Sequence, residues 1–390
     1  MSNPCAGLEW KEGFYQDKPS WVKEPELNSV ARVVESHLHN ETDIQVSFFS
    51  EGSFNKLYTV EMPSSNQAAL MMRVSLPVDS KYKTLSEAAT LAFVKANTRL
   101  ENPLLGQESD YREIDCWASG RYHRNQISVN WNLYQAADIS GADIINNEKE
   151  YAIGRISAQH FFWAEHYEMD VPRGPFPSSR AWISSQLLLY EKDAEIEMKN
   201  AENGQPGSWL KGEKSLQRTV LALQRNLDAA FPPEEDNTET YTLYHHDISF
   251  QNILADAGGR ITGLVDWECV NIVPTYKSME NPSCLVGPDS DLDDYLNPDE
   301  YLKINGSVEE NDLYREAVLE YELTKLRPIF IDEMKRLSSE WVRVHGDEKL
   351  RLKADFEFAV QICAFWRDRN IEDWIEGLEK GEIEHLKEFY

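Results

Sequence analysis

The residues best suited to chemistry lie in one stretch, 240–268, which reads TYTLYHHDISFQNILADAGGRITGLVDWE. Two apolar runs, one beginning after Asn252 and one ending on Asp266, flank a Gly-Gly turn, and this pattern predicts a β-hairpin. Counting outward from Gly259 places Asn252 and Asp266 opposite each other at the open end of the hairpin, with Asp247 just before it. Oxygen-bearing side chains clustered in this way suit a hard cation and a proton acceptor.

The elements that must position these side chains change in type along the chain. Helices are predicted over residues 26–39, 85–96, 313–337 and 356–366, strands on both sides of the turn 51–55 and over 69–76 and 127–136, and helical spacing from 148 to 231. This order predicts an α+β fold in three parts. They are an N-terminal extension with one helix (1–40), a β-rich N-terminal lobe (41–136) and a mainly helical C-terminal lobe (137–390) that carries the hairpin.

The charge of the chain limits its partners. Among 390 residues, 67 Asp and Glu outnumber 39 Lys and Arg, so the net charge of −28 argues against a sequence-independent nucleic-acid binder. A cationic small substrate would fit this negative field. A soluble surface kept monodisperse by its charge explains the same composition without any substrate.

The cysteines and the apolar runs indicate the compartment. Five cysteines are odd in number, widely spread and never in a C-x-x-C pair, which predicts neither a disulfide framework nor a zinc site. No apolar run approaches the length of a membrane span, and residues 1–21 lack both an apolar signal region and an Arg-rich transit peptide. We therefore expect a cytoplasmic protein without a membrane partner.

The hairpin motif resembles a known family. Asp247-x4-Asn252, with His245 two residues before the aspartate and Asp266 followed by Trp-Glu, resembles the catalytic core of the aminoglycoside phosphotransferase and choline kinase-like family. FFSEGSFNKLYTV is similar to that family's nucleotide loop, MMRVSL to its phosphate-anchoring strand and LSEAATLAFVKANT to its following helix. PSWVKEP, GPFPSSRAW and YELTKLRPIFIDEM resemble a fungal branch of the family. The resemblance implies a two-lobed protein kinase-like fold.

The same resemblance implies an enzyme, an ATP-dependent phosphotransferase that moves the γ-phosphoryl group to a hydroxyl of a small molecule. Asp247 would accept the proton of the acceptor hydroxyl, and Asn252 and Asp266 would bind Mg²⁺. His245 is expected to hold the catalytic loop, with proton transfer as the alternative, and His246 is given no role. Glu268 is either a further metal or acceptor contact or a surface carboxylate at the end of a strand.

Nucleotide contacts are implied for residues of the β-rich lobe and its connector. These residues are Gly52, Ser53, Asn55, Arg73, Glu87 and Gln135. Arg73 stands where the family has Lys, and its guanidinium could grip phosphate with Glu87 as its ion-pair partner. Alternatively, Glu87 completes a capping box that begins at Thr84. Gln135 lies in the connector 133–136, whose backbone would meet the base.

Two other functions stay open. The chain after Asp266 lacks the A-P-E motif that closes the activation segment of a protein kinase, which argues against that alternative. A nucleotide-binding pseudokinase that acts as an interaction module is a further alternative, which the departure at Arg73 keeps open. The acidic segment 289–300 is expected to be a solvated loop rather than a calcium site, and it could instead hold a cationic acceptor.

Overall fold

The structure, a computed structural model, describes residues 7–11, 18–38, 43–64, 69–98, 131–139, 144–148, 150–203, 213–233, 239–287, 312–363, 369–381 and 385–386. The chain divides into two compact units, one comprising residues 1–86 and 157–170 and the other residues 87–156 and 171–390. The predicted acidic loop 289–300 and the start of the strand predicted over 127–136 lie outside the described residues.

The first unit contains the three strands predicted before residue 77 and, nearer the N-terminus, a strand pair that was not predicted. Strands β1 (Leu8–Lys11) and β2 (Lys18–Trp21) pair antiparallel, and β3 (Gln45–Glu51), β4 (Asn55–Glu61) and β5 (Leu70–Ser75) form a second antiparallel sheet in that order. Helix α1 (Leu27–His37) lies against β3 and buries Val30 and Val34. Residues four apart share one helix face, so the predicted apolar stripe is the buried side of α1.

Helix α2 (Ser80–Asn97) begins five residues earlier than the sequence pattern predicts. The amide of Lys83 already donates to the carbonyl of Asp79 (2.9 Å), and Asp79 has a left-handed φ of 47°. Thr84 therefore lies inside the helix, where it cannot act as an N-cap. The capping-box interpretation of Glu87 is wrong for this reason.

The second unit combines three small sheets with the helices. Its strands are β6 (Asn132–Gln135), β7 (Ile144–Glu148), β8 (Tyr151–Gly154), β9 (Tyr241–Tyr244), β10 (Ile253–Ala255), β11 (Ile261–Leu264) and β12 (Asn271–Pro274). The sheet orders are β6-β8-β7, β9-β12 and β10-β11. Helical spacing was predicted from residue 148, which is wrong for β8, because this short run pairs with strands on both sides and periodicity cannot identify so short an element.

The helices of the second unit surround an aromatic core. They are α3 (Ser179–Glu202), α4 (Glu213–Ala230), the short α5 (Thr275–Ser278), α6 (Asp312–Leu337), α7 (Ser339–Gly346), α8 (Glu348–Ile362) and α9 (Arg369–Lys380). Phe356 of α8 is fully buried, and its ring meets Phe231 edge-on at 5.8 Å and Trp374 of α9 at 6.2 Å. These contacts join α8, α9 and the residue that follows α4 around one core.

The predicted α+β class is confirmed, with a sheet-rich N-terminal region and a helical C-terminal region. The predicted three-part division (1–40, 41–136 and 137–390) stays a prediction. None of the helices in the described part of the chain combines the length and apolar character that crossing a membrane requires.

Candidate active site

Two strand pairs of the second unit hold the candidate active site. Strand β9 pairs antiparallel with β12, from Tyr244 opposite Asn271 to Tyr241 opposite Pro274. The loop after β9 leads through a single 3₁₀ turn (Phe250–Asn252) into the predicted hairpin of β10 and β11. The stretch 240–268 therefore folds back on itself, and the chain after it continues into β12, the partner strand of β9.

The register of the hairpin differs from the predicted one by one residue. Ile253 lies opposite Leu264, and the amide of Val265 donates to the carbonyl of Asn252 (2.9 Å). Asn252 is therefore opposite Val265 rather than Asp266. The hairpin turns about Gly258, with Asp256 opposite Arg260, rather than about Gly259. A bulge between Leu254 and the following alanine then removes one of the two residues of this offset.

Asn252 donates two hydrogen bonds to Asp247. Its Nδ2 donates to the Asp247 carbonyl oxygen at 3.0 Å and to Asp247 Oδ2 at 2.9 Å, and the Asn252 side chain is buried. Because Nδ2 carries both hydrogens of the amide, Oδ1 of Asn252 remains as an acceptor only. Asn252 thus fixes the orientation of the Asp247 carboxylate and keeps one oxygen for a cation.

Asp266 ends the hairpin in an unusual backbone conformation. Its φ is 62°, in the left-handed region, and Cys269 has a similar φ of 59°. The intervening Trp267 is buried, donates from Nε1 to the Leu264 carbonyl (2.9 Å) and packs with Val270 in a small apolar cluster. Packing of the indole therefore maintains the strained turn that carries the Asp266 carboxylate.

The donor set suits Mg²⁺. A carboxylate from Asp266 and an amide oxygen from Asn252 are hard oxygen ligands, and Mg²⁺ keeps several waters or phosphate oxygens beside one or two protein ligands. In the described residues no group of three or more His, Cys, Asp and Glu side chains is gathered as a metal site. Asn252 Oδ1 and the Asp266 carboxylate are the oxygen ligands that could hold such a metal.

His245 is held as a neutral structural residue. Its ring is buried, Nε2 donates to the Val265 carbonyl (3.1 Å), and the Trp267 ring lies edge-on at 5.1 Å. Burial lowers the pKa of His245, against the opposing hydrogen bond and the Asp247 charge. These contacts support the predicted loop-holding role.

His246 is the more unusual of the two histidines. Neither ring nitrogen has a hydrogen-bond partner among the described residues, although both nitrogens are buried. Burial, aided by the charges of His245 and Lys277 and opposed by Asp247 and Glu268, lowers its pKa to about 4. The imidazole next to the candidate base is therefore neutral at physiological pH.

The sequence-based alternatives for Glu268 are narrowed by burial. Its exposure is only 3%, so the interpretation as a surface carboxylate is wrong. A contact of Glu268 with a metal or an acceptor stays a prediction.

Ser283 is a site residue that the sequence analysis missed. Its Oγ donates to Asp247 Oδ1 (3.3 Å), and the amide of the next residue, Cys284, donates to the Ile248 carbonyl (3.0 Å). Both carboxylate oxygens of Asp247 therefore have a donor, one from Asn252 and one from Ser283. No sequence signal identifies Ser283, because it lies 36 residues beyond Asp247.

A buried polar network supports the strand pair from the helical side. Lys277 of α5 donates from Nζ to Glu280 Oε2 (2.6 Å); burial opposes its charged form, but the Glu280 and Glu357 carboxylates raise its pKa. Glu357 of α8 accepts from Trp182 Nε1 and from the Tyr276 hydroxyl, both at 3.1 Å, and burial raises its pKa. The network ties α5, which follows β12 directly, to α3 and α8.

The predicted nucleotide loop is a tight turn between β3 and β4. Gly52 and Ser53 are exposed, and a Cβ added at Gly52 would meet nothing within 4 Å. The Gly52 amide donates to the Asn55 carbonyl (2.9 Å), and Asn55 Oδ1 accepts from Ser75 Oγ (2.7 Å). The turn is thus closed by its own backbone, while the residue between, Phe54, is buried.

The remaining predicted nucleotide residues lie on separate elements. Arg73 is on β5 opposite Leu57 in the first unit, whereas Glu87 of α2 and Gln135 of β6 belong to the second unit. The Gln135 carbonyl accepts from the amide of Asp138 (3.0 Å). The pairing of Arg73 with Glu87 and the nucleotide contacts of all three residues stay predictions.

Comparison with known proteins supports the class of the site. The model of the phosphotransferase enzyme family matches residues 174–275, a segment that includes Asp247, Asn252 and Asp266. The predicted resemblance to the phosphotransferase family is confirmed by this match, whereas the fungal branch stays a prediction. No curated protein sequence matches the chain significantly.

Similar solved structures include small-molecule kinases. An ethanolamine kinase from Plasmodium vivax is 14% identical, with 93% of this chain and 85% of that chain covered and a TM-score of 0.36. A choline kinase from Cryptosporidium parvum is 11% identical, with coverages of 93% and 99% and a TM-score of 0.35. A macrolide 2'-phosphotransferase type I is 10% identical, with coverages of 94% and 96% and a TM-score of 0.30.

Proposed function

We propose that this protein is an ATP-dependent phosphotransferase that moves the γ-phosphoryl group to a hydroxyl of a small molecule. The observation that carries the proposal is the pair Asp247–Asn252, whose two hydrogen bonds orient a carboxylate and leave an amide oxygen for a cation. The family match over 174–275 supports the phosphotransferase class. Positioning and charge neutralisation are the main requirements of phosphoryl transfer, and this cluster supplies both.

The roles of the site residues follow from their contacts. Asp247 accepts the proton of the acceptor hydroxyl, and Asn252 holds its carboxylate in place. Asn252 Oδ1 and the Asp266 carboxylate would hold Mg²⁺, which neutralises phosphate charge when bound. His245 keeps Val265 and the catalytic loop together through its Nε2 hydrogen bond.

The nucleotide would contact residues of the β-rich region and its connector. Gly52, Ser53 and Asn55 would approach the phosphates, Arg73 would replace the usual Lys and pair with Glu87, and the base would lie near Gln135. The negative charge of the chain, −28, favours a cationic acceptor by attraction over distance. Cytoplasmic ATP and Mg²⁺ would then be the co-substrate and metal.

The test measures phosphate transfer from labelled ATP with Mg²⁺ to a panel of amino alcohols, amino sugars and sugars. We expect transfer to at least one acceptor, a loss of about 10²–10⁴-fold in Asp247→Asn, and loss of activity on chelation of Mg²⁺. The matched control is Asp332→Asn, because this aspartate is exposed on α6 and pairs only distantly with Lys335 (3.7 Å).

Three outcomes would contradict the proposal in distinct ways. Equal labelling by wild type and Asp247→Asn would remove this residue from the reaction. Labelling of proteins in an extract, absent in Asp247→Asn, would favour a protein kinase. Thermal stabilisation by nucleotide without Mg²⁺ and without turnover would favour a nucleotide-binding pseudokinase.

A further inference from the structure

The segment 283–287, which follows α5 in the chain, lies beside the loop after β9 that carries Asp247. Cys284 donates its amide to the Ile248 carbonyl (3.0 Å), and Ser283 Oγ donates to Asp247 Oδ1 (3.3 Å). Asn252 holds the other carboxylate oxygen, Oδ2. Oδ1 is therefore the oxygen nearest to this segment, and the position of the segment determines what lies next to the candidate base.

One buried arginine of α6 holds this segment. Arg327 is 6% exposed and donates from Nε to the Leu285 carbonyl at 3.0 Å. Its remaining nitrogens are used within α6, NH2 by Glu320 Oε1 (2.6 Å) and NH1 by Thr324 Oγ1 (3.3 Å). The planar fork is thus fixed by its own helix while its Nε reaches a backbone carbonyl two residues from Ser283.

Gly287 gives the guanidinium the room it needs. A Cβ at this position would lie 2.8 Å from Arg327 NH2 and 3.0 Å from Glu320 Oε2, and Gly287 has a φ of 147°. Both observations require glycine at the point where the segment passes the arginine. The close approach shows that the segment 283–287 packs directly against the ion pair of Arg327 and Glu320.

We infer that Arg327 is a positioning residue, which holds the segment 283–287 through Leu285 and so keeps Ser283 on Asp247. The inference rests on the proposed function, in which Asp247 is the base. The inference assigns a role to Arg327 in the sequence KLRP of α6, which lies outside the site motif. A lysine at 327 would keep a positive charge near Glu320. Its ammonium group could not donate to both Glu320 and the Leu285 carbonyl with the geometry of the guanidinium.

The first experiment is independent of activity. Hydrogen exchange measured by mass spectrometry on Arg327→Gln should show the Cys284 amide exchanging about tenfold faster, as expected for a weakened hydrogen bond. Arg336→Gln, an exposed arginine on the same helix that pairs with Glu333, is the matched control and should leave this amide unchanged. Arg327→Lys provides the milder variant if Arg327→Gln does not fold. Unchanged exchange at Cys284 in the folded variants would overturn the inference, even if the protein proves to be a phosphotransferase.

The second experiment separates positioning from a general structural role. With an acceptor found in the panel, Arg327→Gln should lower kcat about tenfold or more and leave the KM for ATP unchanged. Combined with Ser283→Ala, its effect should be non-additive, because both changes act on the same contact to Asp247. Strictly additive losses, or a parallel rise in the KM for ATP, would overturn the positioning role. If no acceptor is found but Cys284 exchange rises, the proposed function fails while the structural link of Arg327 to the segment stands.

Discussion

The buried imidazole of His246 gives this protein an acid sensitivity whose size follows from the structure. Its pKa falls from 6.5 to about 4 in the folded protein, because burial of the ring disfavours the charged form. A folded-state pKa below the unfolded value means that the unfolded chain binds the extra proton first. Stability is therefore full above about pH 6.5 and declines as the pH falls toward 4.

The magnitude can be worked out from these two pKa values. Linkage between the folded and unfolded protonation equilibria predicts that His246 alone removes about 2 kcal/mol of unfolding free energy between pH 7 and pH 5. The substitution His246→Leu deletes both ring nitrogens, neither of which has a hydrogen-bond partner among the described residues. The variant should therefore lose about 2 kcal/mol less than the wild type over the same pH range.

Urea unfolding followed by tryptophan fluorescence at pH 7 and pH 5 measures this difference. His245 is also buried and is unchanged in the variant, so the comparison of variant with wild type isolates His246. His37→Leu, on the exposed surface of α1, is the control and should keep the wild-type difference between the two pH values. If His246→Leu loses as much stability as the wild type on acidification, the buried neutral imidazole is not the cause, and the reasoning is refuted.

Further predictions concern a buried ion pair, a glycine and the site asparagine. Lys353→Met removes the amine, 2% exposed, that donates to Glu239 Oε1 (2.8 Å), and it should lower the unfolding free energy by about 3–5 kcal/mol. The control Lys335→Met, at an exposed lysine, should lower the unfolding free energy by less than about 1 kcal/mol. Equal urea midpoints of the two variants would contradict this prediction. Gly287→Ala should lower the unfolding free energy measured by calorimetry by about 1–3 kcal/mol, because φ of Gly287 is 147° and the added Cβ would lie 2.8 Å from a guanidinium nitrogen of Arg327. An unchanged Tm would contradict the close packing at this glycine. Asn252→Leu removes both hydrogen bonds to Asp247, the proposed base, and should lower kcat about 100-fold or more while circular dichroism shows a retained fold. A loss confined to the KM for the acceptor would argue against the proposed orienting role of Asn252.

Much of the candidate site could be predicted because its residues are close in sequence. A Gly-Gly turn between two apolar runs specifies a hairpin, and the D-x4-N spacing brings the Asp247 and Asn252 side chains together within one loop. The register could not be predicted to the residue. The turn centres on Gly258 rather than Gly259, and a bulge after Leu254 then shifts the pairing back by one residue. Both features depend on local packing and twist rather than on residue spacing.

The position of α2 illustrates a different failure. The apolar face suggested a start near residue 85, but the helix begins at Ser80 after Asp79 adopts a left-handed φ. Backbone conformation at a single residue decides where the first turn forms, and composition does not reveal it. The interpretation of Glu87 as part of a capping box failed as a consequence.

Residue types and short-range spacing were enough to predict the α+β class, the hairpin, and the oxygen-bearing side chains at Asp247, Asn252 and Asp266. The surroundings of these side chains depend on contacts that short-range spacing does not contain. Two hydrogen bonds join segments that are distant in the chain, that of Ser283 to Asp247 and that of Arg327 to the Leu285 carbonyl. The burial of Glu268 depends on the packing of the residues around it. Periodicity and turn chemistry act over a few residues, whereas burial and long-range hydrogen bonds are set by how the whole unit packs.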